Sequence, residues 1–161
     1  AMFYIDSFDL DESLSCHLVY TEKGLVYLGL NEYDPPKFVP EISALVPLPF
    51  FRLRRDLLRY LDGEKVDFRY ELDLRTTPFR KKVYRQLCLI PYGSVLTYKE
   101  IGENISLPNG QRAVGQAVGS NPLPIIVPCH RVVAQSGLGG FSLGLEMKRK
   151  LLAIENSLGA F

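Results

Sequence analysis

Prolines at positions 122, 124 and 128 forbid a helix across Asn121-Pro122-Leu123-Pro124-Ile125-Ile126-Val127-Pro128-Cys129-His130-Arg131-Val132-Val133, because each lacks a backbone N–H and crowds the turn before it. The residues between them are aliphatic, so the stretch must be buried without being helical. We read residues 125–127 as a buried strand, and residues 128–131 as a turn that begins where Pro128 removes a ladder donor. The turn matters because neighbours on an extended strand face opposite ways. It brings the Cys129 sulfur and the His130 ring to one side.

Cysteine attacks as its thiolate, and a free thiol with a pKa near ~8.5 is mostly protonated at neutral pH, so a reactive cysteine needs a base or a positive neighbour. His130 and Arg131 are the candidates in a chain with only two histidines. On these residues alone the other reading stays open, an inert thiol at a buried strand end, since free cysteine is often a small core residue.

The length of 161 residues suits one domain or two small ones, and 47% hydrophobic content suffices for ordinary cores. No apolar run approaches the ~20 residues of a membrane span, and no export signal is recognised, so a cytoplasmic protein is expected. Three widely spaced cysteines, Cys16, Cys88 and Cys129, fit neither a disulfide framework nor a zinc pattern and suggest a reducing compartment. The net charge of +1 is unevenly spread: residues 1–76 hold 14 acids and 9 bases, residues 77–161 hold 4 acids and 10 bases. That split fits either a C-terminal half that meets a polyanion or ordinary surface variation.

Residues 3–8, 13–21 and 25–30 have strand character, and Thr21-Glu22-Lys23-Gly24 marks a hairpin. Cys16 and His17 are strand neighbours without a further ligand, so no metal site is expected. Residues 34–36 and 40–49 are proline-punctuated loop with a turn of helix at 41–45. Over 51–61, Leu53, Leu57, Leu58 and Leu61 make one helical face, with Arg52, Arg54, Arg55 and Arg59 exposed. Residues 72–77 read as a linker or last strand, which places a domain boundary after residue 76.

Thr77 suits an N-cap and Pro78 a first helical position, with Phe79, Val83, Leu87 and Ile90 along one face. Thr97 and Glu100 have capping-box spacing. Over 111–120, Ala113, Val114, Ala117 and Val118 form a small apolar face, while Arg112, Gly115, Gln116 and Gly119 lie opposite. A glycine in a helix costs about 1 kcal/mol relative to alanine, so two on one face ask for a reason. Close approach of another backbone is one, either DNA at the second helix of a helix-turn-helix or a neighbouring helix of the same chain. Residues 135–144 are rich in glycine and serine and read as a mobile hairpin or wing. A final helix over 145–158 would bury Met147, Leu151, Ile154 and Leu158, with Glu155 beside that face, where an acid needs a partner.

The stretch around Cys129 resembles the active-site signature of the O6-alkylguanine-DNA alkyltransferases. The likeness runs from about Leu57 to Glu155, through Thr77-Pro78-Phe79, Ile90-Pro91-Tyr92-Gly93, Thr97-Tyr98, Arg112-Ala113-Val114-Gly115 and Leu151-Leu152-Ala153-Ile154-Glu155, and is weak before residue 57. The resemblance implies an α+β protein: a ribonuclease H-like domain over 1–76, a short antiparallel sheet plus helix, then a winged helix-turn-helix domain over 77–161. It implies single-use DNA repair without a cofactor, in which Cys129 takes the alkyl group from O6-alkylguanine, less well from O4-alkylthymine. Glu155 would orient His130, which draws the Cys129 proton through a water; Tyr98 would protonate the departing base; Asn121 would brace the second DNA-contacting helix against the active-site loop.

The same resemblance implies contact with double-stranded DNA from the minor groove through Thr97, Arg112, Ala113, Gly115, Gln116 and Gly119. Arg112 would fill the gap left by a flipped base. Pro124, Val132, Phe141 and Ser142 would shape the alkylguanine pocket, with backbone groups at Cys129, Val132 and Ser142 on the guanine edge. A monomer is expected, nucleoid-associated in a prokaryote. Phe141 stands where relatives often have tyrosine, and Leu143 where many have a small or basic residue. Two other classes use these residues differently. A DNA-binding regulator needs only the Arg112 face, and a cysteine hydrolase would use Cys129, His130 and Glu155 with repeated turnover.

Overall fold

The structure, a computed structural model, describes residues 2–41 and 51–156. The chain divides into two units, Ala1–Arg75 and Thr76–Phe161. Among the described residues it is a mixed α/β protein with one small antiparallel sheet and five α-helices.

In the first unit β1 (Tyr4–Asp9), β2 (Ser15–Thr21) and β3 (Gly24–Leu30) form the sheet, in that order and antiparallel throughout. Strand β2 starts two residues later than expected because the Asp11 carboxylate accepts hydrogen bonds from the Ser13 backbone and hydroxyl, closing a local turn. Leu18, Leu25 and Leu28 are buried on the sheet. The helix α1 (Phe51–Leu61) buries Leu53, Leu57 and Tyr60 completely, whereas Leu58 and Leu61 are only half-buried. Its core face is therefore rotated from the expected leucine row towards Tyr60. Asp56 is buried on that face because it accepts the Tyr70 hydroxyl and lies beside Arg52 and Arg59. Residue 72 makes one parallel bridge, to Leu25, and no longer strand. The turn of helix expected at 41–45 falls on residues outside those described, apart from Glu41.

In the second unit the elements are α2 (Pro78–Cys88), β4 (Leu96–Thr97), α3 (Tyr98–Asn104), α4 (Gln111–Gly119), β5 (Val132–Val133) and α5 (Leu145–Ile154). Thr77 caps α2 by accepting the Arg80 N–H at 3.2 Å, and Thr97 and Glu100 form the reciprocal box at the start of α3, each bond 3.1 Å. Val83, Tyr84 and Leu87 are buried along α2, and the Tyr84 hydroxyl donates to the Ala117 carbonyl at 2.8 Å, which ties α2 to α4. A Cβ on Gly102 would meet the Leu107 carbonyl oxygen at 2.9 Å, so glycine lets the α3–α4 connection fold back on α3. Strands β4 and β5 pair in parallel, Leu96 with Val132 and Thr97 with Val133. That pairing sets the start of α3 beside the residues that follow Cys129.

Three further expectations are corrected. Residues 125–127 are not a strand: Val127 N–H donates back to the Leu123 carbonyl at 2.8 Å, Pro124 bridges Val127, and Ile125 sits at φ 75°. The prolines that forbid a helix here also deny a ladder, and the chain closes on itself instead. The buried positions of α5 are Lys148, Leu151 and Leu152, with Met147 and Ile154 half-buried, and the helix ends at Ile154; Leu158 lies outside the described residues. Ala113, expected on the inner face of α4, is exposed, and that face consists of Val114, Ala117 and Val118. Within 135–144 the hairpin shows one rung of pairing, Ala134 with Gly137. No helix of the described residues is long and apolar enough to cross a membrane.

Candidate active site

Pro128 starts a single 3-10 turn over Cys129–Arg131, closed by the Arg131 N–H on the Pro128 carbonyl at 3.0 Å. At three residues per turn, successive side chains leave the axis about 120° apart. The turn sends both His130 and Arg131 to one acceptor, the Glu155 carboxylate at the end of α5. His130 Nε2 lies 2.7 Å from Glu155 Oε2, and Arg131 donates from Nε to Oε1 at 2.8 Å and from Nη2 to Oε2 at 3.1 Å. Gly93 N–H reaches Oε1 at 3.2 Å, and Arg131 Nη1 donates to the Ile90 carbonyl at 2.8 Å. His130 is fully buried and Glu155 is 2% exposed. The acid that sequence reasoning placed beside the core face is in the core, with its partners supplied.

Asn121 closes the loop before the turn from both ends. Its Nδ2 donates to the Val127 carbonyl at 2.8 Å and its Oδ1 accepts the Leu123 N–H at 3.0 Å. Burial pushes the Cys129 thiol up to about 11, against the opposing pull of Asn121 and the nearby Lys148 charge. Cys129 is therefore a protonated thiol at rest. Burial holds the His130 imidazole below its ordinary value, while Glu155 raises it and Arg131 and Lys148 lower it again. The pair at neutral pH is a thiol and a neutral base.

Lys148 is the residue that the sequence reading missed. It is buried without exposure, and its Nζ donates to the carbonyls of Val132 at 2.7 Å, Gly140 at 2.9 Å and Leu138. Burial pulls its ammonium down to about 8. The positive neighbour of the thiol is thus Lys148, and Arg131 is spent on Glu155. The available signal was spacing: Lys148, Leu151, Leu152 and Glu155 fall at i, i+3, i+4 and i+7, but Lys148-Arg149-Lys150 looks like an exposed charge run.

A second group assembles around a cleft of about 170 Å³ lined by Tyr98, Gly115, Val118, Gly119, Gly140, Phe141 and Ser142. Tyr98 is the first residue of α3 and runs between α4 and the 135–144 segment. A Cβ on Gly139, at φ 72°, would meet its hydroxyl at 2.8 Å, and one on Gly115 would lie 3.9 Å from its ring. Burial raises the Tyr98 phenol, as does Cys129, while a backbone hydrogen bond from Gly140 lowers it. So the structure brings Tyr98, Gly115, Gly119, Phe141 and Ser142 together at the cleft; the second group, the His130–Glu155 pair with Cys129 and the loop that Asn121 closes, is buried in the same unit. Pro124 and Val132 are buried beside that second group, with the Val132 carbonyl taken by Lys148. Thr97 caps α3, and Arg112, Ala113 and Gln116 are exposed on α4 outside the cleft lining. No group of three or more His, Cys, Asp or Glu residues close enough to hold a metal occurs among the described residues.

The chain is similar to known proteins over most of its length. Residues 78–157 match the model of the 6-O-methylguanine DNA methyltransferase DNA-binding domain. A methylated-DNA–protein-cysteine methyltransferase of Metallosphaera sedula is 44% identical over 144 residues, 80% of this chain and 91% of that protein. One of Saccharolobus islandicus is 45% identical over 96 residues, 60% of this chain; the match spans only 62% of the relative's length. The crystal structure of Mycobacterium tuberculosis OGT in complex with DNA superposes with a TM-score of 0.82 at 36% identity, covering 96% of this chain and 93% of that one. On this similarity the chain belongs to the methylated-DNA–protein-cysteine methyltransferase family.

Proposed function

We propose that this protein repairs O6-alkylguanine, and less well O4-alkylthymine, in double-stranded DNA by moving the alkyl group once and irreversibly onto Cys129. The observation that supports the proposal is the buried His130–Glu155 pair, with His130 next in sequence to the buried Cys129, in the unit whose cleft is lined by Tyr98 and α4. A thiol pushed up to about 11 cannot attack by itself. It needs a base as the alkyl carbon arrives, and His130 is a neutral one, fixed by Glu155 at Nε2, so that Nδ1 takes the proton through a water.

The step balances simply. The sulfur forms a bond to the alkyl carbon as the carbon–O6 bond breaks, the electron pair leaves with the guanine, and Tyr98 donates a proton to the departing base. The product is a thioether without a good leaving group, so no later step returns the thiol, and the chemistry needs no cofactor. A base stacked in a duplex hides its alkyl group, so the nucleotide must leave the stack. In this reading residues 77–161 act as a winged helix-turn-helix that enters the minor groove with Arg112, Ala113, Gly115, Gln116 and Gly119 of α4 and with Thr97. Arg112 takes the place of the flipped base, and Pro124, Val132, Phe141 and Ser142 hold that base beside Cys129. Residues 1–76 form a ribonuclease H-like companion domain, and the protein works as a monomer in the cytoplasm, in a prokaryote on the nucleoid.

Intact mass after mixing with a duplex that carries one O6-methylguanine tests the proposal. The expected result is a gain of one methyl group, mapped to Cys129 and saturating at one per chain. Folded protein that binds the duplex and gains nothing would sink it; repeated turnover without a stable adduct would mark a hydrolase.

A further inference from the structure

Glu155 receives more than the His130 ring. Arg131 grips both of its oxygens in a fork, shares Oε2 with the imidazole, and is itself held by the Ile90 carbonyl, with its guanidinium 5.8 Å from the Tyr92 ring centroid. Arg131 is 8% exposed. All three charged or chargeable groups are therefore out of water, where one unit of charge has strong effects on its neighbours.

Two consequences follow. A planar guanidinium bonded to both oxygens fixes the plane of the carboxylate, which a single donor such as lysine does not. Burial is the largest influence that keeps the ring neutral, and the guanidinium adds to it by offsetting part of the pull that the carboxylate exerts on the ring. A naked Glu155 at 2.7 Å from Nε2 would favour imidazolium, and imidazolium cannot accept a thiol proton. We propose that Arg131 is the positioning residue that, acting through Glu155, keeps His130 a neutral acceptor for the Cys129 proton. The inference rests on the alkyl-transfer reading for its purpose, but the electrostatic device is observable without substrate. Among the described residues, the charged and titratable groups facing His130 include Lys148 of α5 and Glu155 just past its end, with Cys129 and Arg131 on its own turn and Tyr92 against Arg131 and Glu155. Among these, Glu155 raises the proton affinity of the ring, and Arg131 and Lys148 lower it.

The experiment is a pH titration of the His130 ring by ¹⁵N NMR in the full chain, with His17→Gln removing the second resonance, beside the rate of methyl transfer to a duplex carrying O6-methylguanine. In the parent protein His130 stays neutral through pH 7. In Arg131→Met its titration moves up by about one pH unit or more, and the acid limb of the transfer rate moves with it. In Arg131→Lys the charge remains, so the titration stays within about half a unit, while transfer slows about tenfold because the fork is lost. A folded Arg131→Met variant with an unmoved His130 titration overturns the proposal. Should that variant not fold, Arg131→Lys decides: folded protein with undiminished transfer overturns it. Parent protein that shows the neutral ring yet transfers no methyl group to Cys129 refutes the alkyl-transfer reading, and with it the purpose assigned to Arg131.

Discussion

At the residue scale the site separates two jobs that many cysteine enzymes combine. The usual way to activate a thiol is to stabilise its anion, yet burial here pushes Cys129 up to about 11 and holds His130 below the ordinary imidazole range. In the proposed reaction the proton is therefore transferred during attack rather than before it. The transfer rate should stay flat through neutral pH and fall only in acid, below the ~6.5 of an unperturbed imidazole, as His130 takes up a proton. Single-turnover rates between pH 4.5 and 8 check this, and an acid limb above pH 7 would contradict it. The same residue predicts a stability trend. The folded value is depressed, so the unfolded chain binds the His130 proton first, and this contribution to stability is lost as pH falls from about 6.5 through the folded value.

At the element scale the outer face of α4 offers a clean test. A Cβ on Gly119 would meet nothing within 4 Å, and one on Gly115 only the Tyr98 ring at ordinary contact distance. Packing within the described chain therefore does not require these glycines, which disfavours the neighbouring-helix explanation. Gly119→Ala should raise stability by up to about 1 kcal/mol, the helix-propensity difference, while weakening binding to duplex DNA; higher Tm with unchanged affinity would remove α4 from the interface. Caps and helices of this unit were legible because Thr77, Pro78, Thr97 and Glu100 carry local signals that tertiary structure did not override. The 125–127 stretch was misread because an apolar run specifies burial and not direction. Ile125 at φ 75° has no local signature, since a β-branched residue is rarely found there. Lys148 was hidden for a related reason: its acceptors are backbone carbonyls contributed by other segments.

At the scale of the whole molecule the charge is divided as the chain is. The unit that carries the site lies within the basic half, 10 bases to 4 acids over residues 77–161, and its exposed α4 face bears Arg112. Contacts to phosphate release counterions, so affinity for undamaged duplex should fall steeply with added salt, roughly as a power law. If Arg112 is the proposed wedge, Arg112→Ala should lose methyl transfer more than it loses this salt-dependent binding, because a wedge that stabilises an extruded base acts after docking. Titrations at two or three ionic strengths separate the effects, and equal losses would make Arg112 an ordinary phosphate contact.

Cys129 is 2% exposed, while Cys88, at the end of α2, is open to solvent. In the proposed reaction the sulfur is used once, so any stray oxidant or electrophile that reaches it first would cost the protein its whole value. Under that proposal, concealment as a protonated thiol is a form of storage, in which the reagent keeps until a substrate of the right shape reaches it. Limited treatment with iodoacetamide should mark Cys88 well before Cys129 and leave methyl transfer largely intact. Faster marking of Cys129 would show that the store leaks.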